Sequence, residues 1–281
     1  TQVNFNPDLT TDRFILNGME QSGATLNRVA LFLDYVRKLA GLTHFAQVES
    51  NNNYPSGAGI ASSAAAFAAL ALAASKAAGL DLSERELSRL ARLGSGSACR
   101  SVPGGFAEWL PGSRDADSYA IQIAPPEHWD LVDLIVVVDR SEKAVGSSAG
   151  HKLAETSPLQ ALRIAGVPER LEQCRTAILT RDFEHLAQVV ELDSEWMHAV
   201  MRTSNPPLYY WKPATEVVLW NVRAWRAQGH AVCATVDAGP NVHVIALGQE
   251  ASWAEAQLRA LPSVQEVLTA KPGGGAKILE Q

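Results

Sequence analysis

Hydrophobic residues recur along the chain with two periods, one of two residues and one near 3.6, and these periods predict strands and helices. Alternation predicts strands within residues 1–16, on either side of a polar turn at residues 6–8, and a further strand over 44–50. Helical spacing over 26–42 stops at Gly41, a residue type that often terminates helices. The chain is therefore predicted to open with strands around one helix.

Residues 59–78 are almost continuously small and apolar and are followed by Gly79. A helix of this length could cross a bilayer by length alone. The run is mostly alanine and is interrupted by Ser75 and Lys76, so it lacks the strongly apolar content of a membrane span. We therefore predict a helix that is buried within a protein core.

Ser83 and Glu86 have the spacing of a capping box and predict the start of a second helix. Its buried stripe is predicted to be Leu87, Leu90 and Leu93, and it ends at Gly94. A glycine- and serine-rich loop follows over 94–105. Two short alternating runs after this loop, at 106–109 and 119–123, predict a hairpin.

The second half of the chain begins after the double proline at residues 125–126, which marks a candidate domain boundary. Predicted strands lie at 131–138, 231–236, 242–247 and 264–270, and predicted helices at 168–179, 182–201, 213–228 and 251–261. Helices around an antiparallel sheet are typical of an α+β domain. We predict two domains, at residues 1–125 and 126–281.

Composition excludes several classes of protein. The 281 residues are 47% hydrophobic and carry a net charge of −6, and no basic cluster suited to nucleic acid occurs. Cys99, Cys174 and Cys233 are widely separated, which favours a reducing, cytoplasmic compartment over a disulfide framework. No secretion signal is apparent. Because the sequence begins at Thr1 within a strand pattern, we expect that an upstream leader is absent.

A first candidate site is the glycine loop that leads into the alanine-rich helix. It contains Ser56, Gly57, Gly59, Ser62 and Ser63. Glycines let backbone N–H groups converge, and the start of a helix favours anions, so the pattern is suited to phosphate. It matches neither a Walker motif nor a dinucleotide fingerprint. A capped core helix that follows a turn is the alternative explanation.

A second candidate is the turn that contains Ser95, Ser97 and Arg100. Two hydroxyls and a guanidinium suit an oxyanion, and the guanidinium can bind a carboxylate or phosphate through two hydrogen bonds. A solvated linker is the alternative. The neighbouring Cys99 is interpreted as a small packing residue.

A third candidate is Asp237, which lies where a strand gives way to a Gly-Pro turn and could project into a cleft. Turn chemistry alone could also explain this aspartate. A weaker loop over residues 143–150 contains Ser147 and Ser148, and residues 271–276 are predicted to form a flexible turn before a last strand.

The histidines show no ligand spacing, so no protein-built transition-metal site is predicted. The histidines considered were His128, His151, His198 and His243.

Taken together, several motifs resemble the diphosphomevalonate decarboxylases, a family within the GHMP kinase superfamily. The motifs are Asn52-Asn53-Tyr54-Pro55, Gly59-Ile60-Ala61-Ser62-Ser63-Ala64-Ala65, the run from Gly94 to Ser101, Gly104-Gly105-Phe106 with Glu108-Trp109, and Asp237-Ala238-Gly239-Pro240-Asn241. The resemblance implies a two-domain α+β GHMP kinase fold. It further implies an N-terminal α/β domain with a left-handed βαβ nucleotide site, a ferredoxin-like C-terminal domain and an active site in the cleft between them.

The resemblance also implies a reaction. The γ-phosphate of ATP, accompanied by Mg²⁺, passes to the 3-hydroxyl of mevalonate 5-diphosphate, and loss of that phosphate with carbon dioxide gives isopentenyl diphosphate. Asp237 would orient or deprotonate the hydroxyl, and Arg100 would hold the substrate carboxylate, so that these two residues and Ser97 form the catalytic set. Ser95, Ser97, Ser147 and Ser148 would contact substrate.

In the family, residues of the glycine loop hold ATP, which here would be Ser56, Gly57, Gly59, Ser62 and Ser63. Mg²⁺ is expected through the ATP phosphates, without an assigned protein ligand. A homodimer is expected, with neither nucleic acid nor membrane as a partner.

Departures from the family pattern keep alternatives open. This chain reads Pro55-Ser56-Gly57-Ala58-Gly59-Ile60 where many family members read Pro-Thr-Ala-Ala-Gly-Leu. A position that is arginine in some bacterial members is Ser148 here, and loss of that cation favours mevalonate 5-phosphate as an alternative substrate, giving isopentenyl phosphate. The Lys-Tyr-Trp-Gly-Lys stretch with which family members begin does not occur in this chain. A superfamily kinase that does not decarboxylate is a more distant alternative, and a catalytically silent binding protein is another.

Overall fold

The computed structural model describes residues 1–53, 62–141 and 145–279. Contacts divide the chain into two compact units. The first unit holds the described residues up to Pro126 together with the tail from Gly273, and the second holds those of Glu127–Pro272. That these units fold as the independent domains predicted at 1–125 and 126–281 stays a prediction.

The first unit opens with a four-stranded sheet and one helix. Its elements are β1 (Gln2–Asn6), β2 (Arg13–Leu16), β3 (Met19–Glu20), α1 (Gly23–Ala40) and β4 (Phe45–Ser50). The strand order is β1-β4-β2-β3, and β2 and β4 are parallel, with β3 and α1 in the crossover between them. The predicted strands and helix are confirmed, although α1 begins three residues earlier than predicted. Gly41 has φ 66°, as the predicted left-handed cap requires.

The remainder of the first unit is helical, followed by a hairpin. It comprises α2 (Ser62–Ala77), α3 (Glu84–Gly94), a 3-10 turn (Gly96–Ser101), β5 (Phe106–Leu110) and β6 (Tyr119–Ala124). The capping box of Ser83 and Glu86 is confirmed, as is the antiparallel pairing of β5 with β6. The sequence prediction for Leu93 is wrong, because this side chain is 43% exposed. Ser88 and Ala91 complete the buried stripe of α3 instead.

The core of the first unit lies between the sheet and the three helices. Phe32 of α1 and Phe67 of α2 meet edge to face, with ring centroids 5.5 Å apart. Many of the small side chains of α2 are buried, as predicted, and this allows α2 to pack closely against its neighbours. No helix in the described part of the chain is long and apolar enough to cross a membrane.

The second unit contains an antiparallel sheet and a set of helices. Its elements are β7 (Leu131–Val137), α4 (Ser147–Ala154), α5 (Gln160–Ala165), α6 (Val167–Thr180), α7 (Phe183–Arg202), α8 (Pro213–Ala227), β8 (Val232–Val236), β9 (Val242–Leu247), α9 (Gly248–Arg259) and β10 (Glu266–Ala270). The sheet order is β10-β7-β9-β8. The predicted α+β architecture is confirmed.

One face of this sheet carries the core of the second unit. Val132, Leu134 and Val136 alternate along β7, so their side chains point to the same face, where they pack with residues of α8 and α9. The predicted loop over residues 143–150 is partly wrong, since α4 begins at Ser147. Serine is compatible with the first turn of a helix, because the backbone N–H groups there have no partner within the helix and a serine hydroxyl can accept from them.

Candidate active site

Only part of the predicted glycine loop lies within the described residues. Ser56, Gly57 and Gly59 lie outside the described residues, so their predicted contacts with ATP stay predictions. Ser147 and Ser148 form the first turn of α4, and their side chains also lie outside the described part of the structure. The candidate residues that are described form two groups of side chains, one within each unit.

The first group forms where α2 begins beside the serine-rich turn. The hydroxyl of Ser63 lies 3.1 Å from that of Ser95, and the hydroxyl of Ser95 lies 3.5 Å from that of Ser97. Ser62 is the first described residue of α2, and the first turn of this helix contains no acidic residue. Three hydroxyls next to a helix N-terminal end can donate hydrogen bonds to a phosphate or carboxylate.

The guanidinium of Arg100 lies on the exposed side of the same turn. Its central carbon is 5.9 Å from the centre of the Trp109 ring, within the range of a cation–π interaction. The indole nitrogen of Trp109 donates to the hydroxyl of Ser118 at 2.9 Å, which holds the ring in place. Gly96 passes so close to this ring that a Cβ would lie 3.3 Å from it. Trp109 therefore supports both the turn and its arginine.

Ser88 of α3 holds the serine-rich turn through buried hydrogen bonds. This residue is fully buried, donates to the carbonyl oxygen of Cys99 at 3.0 Å and accepts from the backbone N–H of Ala120 at 2.8 Å. Cys99 is itself buried, and burial raises the pKa of its thiol. The interpretation of Cys99 as a packing residue is confirmed. Ser88 was not predicted from the sequence, in which its signal is a polar residue within the apolar stripe of α3.

The glycine-rich tail after residue 272 holds the other end of this turn. The N–H of Gly105 donates to the carbonyl oxygen of Gly273 at 2.8 Å, and that of Ala276 donates to Val102 at 2.9 Å. A Cβ on Gly104 would lie 2.7 Å from the backbone nitrogen of Gly275, so both backbones need glycine here. The prediction of a flexible turn is wrong, because these contacts tie the segment down. No strand follows it among the described residues.

The second group surrounds Asp237, which directly follows β8. Its carboxylate is exposed, and its turn is closed by the backbone, since Gly239 N–H donates to the carbonyl oxygen of Asp237 at 2.8 Å. The side chain is therefore not the group that closes this turn. This observation favours the functional interpretation over turn chemistry.

Asn241 holds the other end of the turn. It is 3% exposed, and its side-chain oxygen accepts from Val138 N–H at 2.9 Å and Asp139 N–H at 3.1 Å. Its side-chain nitrogen donates to the carbonyl oxygen of Asp139 at 3.1 Å. Thr215, also buried, donates to the carbonyl oxygen of Pro240 at 2.6 Å. Asp237 thus lies on a turn that hydrogen bonds fix to α8 and to the residues that follow β7.

Two largely buried histidines lie within the electrostatic influence of Asp237. Burial lowers the pKa of His198 to about 4, so it is neutral near pH 7 and can donate from Nε2 to the carbonyl oxygen of Val236 at 3.0 Å. Burial opposes the charge of His243, but the hydrogen bond and charge of Asp133 outweigh it and raise its pKa. The Nδ1 atom of His243 lies 2.8 Å from the Asp133 carboxylate. Neither role was found from sequence.

Comparisons with known proteins give a consistent assignment. Residues 1–120 match the family described as "Diphosphomevalonate decarboxylase-like N-terminal domain", and residues 133–274 match "Mevalonate 5-diphosphate decarboxylase C-terminal domain". Within the described part of the chain, no group of three or more His, Cys, Asp or Glu side chains could hold a metal ion.

Two curated relatives illustrate the range of the similarity. The diphosphomevalonate decarboxylase of Aspergillus fumigatus is 38% identical over 89% of this chain, which spans 67% of that protein. The phosphomevalonate decarboxylase of Haloferax volcanii is 33% identical over 87% of this chain and 75% of its own length. The chain spans about two thirds of the length of several curated relatives that it matches.

A solved structure, described as MDDEF in complex with MVAPP, AMPPCP and magnesium, is also similar. It superposes on this protein with a TM-score of 0.93 at 38% sequence identity. The superposition covers 99% of this chain and 86% of the chain in that structure.

Proposed function

Because this chain belongs to the diphosphomevalonate decarboxylase family, we propose that it catalyses the ATP-dependent decarboxylation of mevalonate 5-diphosphate. The products are isopentenyl diphosphate, carbon dioxide, ADP and phosphate. The contact between Ser63 and Ser95 carries the proposal, because it joins the start of α2 to the serine- and arginine-containing turn. One cluster thereby offers donors to a phosphate and to a carboxylate.

The described residues at the start of α2 fit the phosphates of ATP. The start of α2 combines a helix N-terminal end with the hydroxyls of Ser62 and Ser63 and has no acidic residue in its first turn, so it favours a polyphosphate. When bound, Mg²⁺ neutralises charge on the phosphate oxygens. Ser62 and Ser63 bind those oxygens, together with Ser56, Gly57 and Gly59 of the preceding loop.

Ser95, Ser97 and Arg100 bind the acidic part of the substrate. A planar guanidinium can donate two parallel hydrogen bonds to a carboxylate, and Trp109 keeps Arg100 on its own side of the turn. Ser147 and Ser148, at the start of α4, contribute further substrate contacts. Arg100 restrains the carboxylate until the carbon–carbon bond that attaches it to the substrate breaks.

Asp237 acts as the general base for the 3-hydroxyl of the substrate. Its exposed carboxylate orients this hydroxyl and accepts its proton as the oxygen attacks the γ-phosphorus of ATP. ADP leaves from the γ-phosphorus with the electron pair of the broken P–O bond. The bond between C3 and the ester oxygen then breaks, and phosphate leaves with that electron pair. The bond between the carboxylate and its neighbouring carbon breaks as carbon dioxide departs, and its electrons form the carbon–carbon double bond. Because Asn241 and Thr215 fix the turn, Asp237 contributes mainly through positioning.

The proposal is tested by supplying the protein with ATP, Mg²⁺ and mevalonate 5-diphosphate, and measuring ADP and carbon dioxide in the same reaction. Equal amounts of the two are expected. ADP without carbon dioxide would identify a kinase instead. If the protein formed neither ADP nor carbon dioxide, that result would contradict the proposal. Asp237→Asn should abolish both products, whereas Asp81→Asn, at a carboxylate that is 95% exposed, should leave both unchanged.

A second substrate, mevalonate 5-phosphate, is supported by the similarity to the phosphomevalonate decarboxylase of Haloferax volcanii. Ser148, in place of the arginine of some bacterial relatives, supports the same alternative, because one fewer cation suits a substrate with less negative charge. Comparing kcat/KM for the two substrates decides between them. A preference for the monophosphate would reassign the product to isopentenyl phosphate.

The protein is further proposed to act as a homodimer in the cytoplasm. Val217 and Trp220 of α8 are exposed, at 42% and 70%, and their spacing puts them on one helix face. The free cysteines of the described chain are compatible with a reducing compartment. Light scattering after gel filtration tests the dimer, and fractionation of cells that express a tagged chain tests the compartment. A monomeric mass or a membrane-bound fraction would contradict these two proposals.

A further inference from the structure

A cavity of about 140 Å³ lies within the second unit, among α4, α5, α7 and the segment that precedes α8. Since one water occupies roughly 30 Å³ of the liquid, the cavity has room for several waters or for one small organic molecule. Its apolar wall is formed by Ala154, Met197, Val200 and Met201. Walls of this kind favour a ligand with a hydrocarbon body over a fully hydrated inorganic ion.

Two residues that line this cavity each carry a buried polar atom with no partner among the described residues. Tyr210 is only 8% exposed, and its hydroxyl is buried without a hydrogen bond. Arg163 also lines the cavity, and its Nε atom is likewise buried without a hydrogen bond. Buried donors are normally satisfied, because an unmade hydrogen bond costs the full desolvation of the group. Two such donors, on residues that line one cavity, favour a ligand that supplies acceptor atoms.

The charges around the cavity favour an anion. Arg163 donates from Nη2 to the carboxylate of Asp193 at 3.2 Å, and Arg170 donates from Nε to the same carboxylate at 3.0 Å. Two guanidinium groups therefore share one carboxylate, which leaves one positive charge in excess. His151 also lines the cavity, and no acidic residue is among the described residues that line it. A monoanion would balance this excess.

Gly150 lies directly beside the tyrosine hydroxyl. A Cβ at this position would lie 2.5 Å from the Tyr210 oxygen, so only glycine allows this close approach. The backbone of α4 therefore covers the buried hydroxyl at the edge of the cavity. A ligand reaches the hydroxyl when the Tyr210 side chain turns toward the cavity.

From these observations we propose that the cavity binds a small organic monocarboxylate with a short hydrocarbon body, such as a four-carbon acid. The side chains of Tyr210 and Arg163 turn toward the cavity when the ligand binds, so that its carboxylate accepts hydrogen bonds from the Tyr210 hydroxyl and from Nε of Arg163. The hydrocarbon body lies against Met197 and Met201. The ligand is a free carboxylic acid, so this inference does not depend on the proposed decarboxylation. Ala238, directly after Asp237, lines the same cavity, which makes competition with substrate a necessary part of the test.

The test is isothermal titration of the full chain with butyrate, and with 1-butanol as a neutral molecule of similar shape. Saturable binding of butyrate at one site per chain is expected, with much weaker binding of butanol. Tyr210→Phe removes one hydrogen bond at nearly constant volume, and should weaken butyrate binding by about tenfold. Arg163→Gln should weaken it at least as much.

Lys152→Gln is the matched control, because it removes an exposed positive charge from α4 without touching the lining of the cavity. This variant should bind butyrate like the parent chain. Because Tyr210→Phe removes a buried hydroxyl that has no partner among the described residues, it should fold and be at least as stable as the parent. Thermal unfolding of each variant verifies this.

Several results would overturn the proposal. These are the absence of saturable butyrate binding, equal affinity in the Tyr210→Phe chain, and butanol binding as tight as that of butyrate. Displacement of butyrate by mevalonate 5-diphosphate would also overturn it, because the cavity would then belong to the substrate. Butyrate binding that persists in a chain with no decarboxylase activity would support the cavity while contradicting the proposed function, so the two can fail separately.

Discussion

The side-chain oxygens of Ser63 and Ser95 lie 3.1 Å apart although 32 positions separate them in the chain. One serine belongs to the first turn of α2 and the other terminates α3. Their contact links two of the sequence motifs into one cluster of donors.

Replacing Ser95 by alanine should therefore weaken binding of the charged substrate groups. A hydrogen bond to a charged group is worth about 1.5 to 3 kcal/mol, so kcat/KM should fall roughly 10- to 100-fold. Steady-state kinetics with ATP and mevalonate 5-diphosphate measure this. Ser113→Ala, at an exposed serine of the same unit, is the control and should have no effect. Equal kinetics in both variants would remove Ser95 from the site.

Replacing Arg100 by lysine should raise KM for the acidic substrate and lower kcat, because an ammonium group cannot make two parallel hydrogen bonds to a carboxylate. We expect a loss in kcat/KM of at least about tenfold, which corresponds to the lower end of the free energy of a charge-assisted hydrogen bond. Arg114→Lys is the matched control, since Arg114 is 77% exposed and pairs at the surface with Asp117. A similar loss in both variants would contradict the assignment.

Asn241→Ala should destabilise the second unit by about 3 kcal/mol, because two backbone N–H groups and one carbonyl of the residues that follow β7 lose a buried partner. Urea unfolding followed by tryptophan fluorescence measures the change. Asn221→Ala provides the comparison, since Asn221 donates to Val217 on an exposed helix surface. A change below about 1 kcal/mol at position 241 would show that the turn is held by other contacts.

His198 should make the protein less stable in weak acid. Its pKa is about 4 in the folded state and 6.5 as a reference value, so between these pH values the unfolded chain binds a proton that the folded chain does not. Stability should decrease as the pH falls through this window, by up to about 3 kcal/mol. His198→Gln should flatten this part of the curve of unfolding free energy against pH. An unchanged slope would show that His198 is already protonated in the folded protein.

His243 should act in the opposite direction and in another pH window. Its pKa is raised in the folded state, chiefly by Asp133 acting against burial, so the pair stabilises the fold below the unfolded pKa. That contribution should disappear as the pH rises from about 6.5 through the folded pKa. His243→Gln should remove this alkaline loss, measured by urea unfolding between about pH 6 and 9. A variant with the same pH dependence as the parent would contradict the prediction.

Local patterns explain why most of the elements were predictable. The capping box of Ser83 and the left-handed Gly41 depend on neighbours within a few residues, so sequence spacing alone identifies them. Leu93 was mispredicted because periodicity gives the direction of a side chain but not how far the partner surface extends. Ser88, in the same helix, was missed for the converse reason, since a polar residue is buried only where distant groups satisfy it.

The sequence by itself determined the order of the elements, the ends of several helices and the motifs that carry Arg100 and Asp237, because these follow from short-range periodicity, capping and turn chemistry. Only the tertiary structure decided that Ser63 meets Ser95, that Asn241 bonds to Val138, and that the Tyr210 hydroxyl is buried without a partner among the described residues. These relationships join residues tens of positions apart, and they depend on how the helices and strands pack rather than on any spacing along the chain.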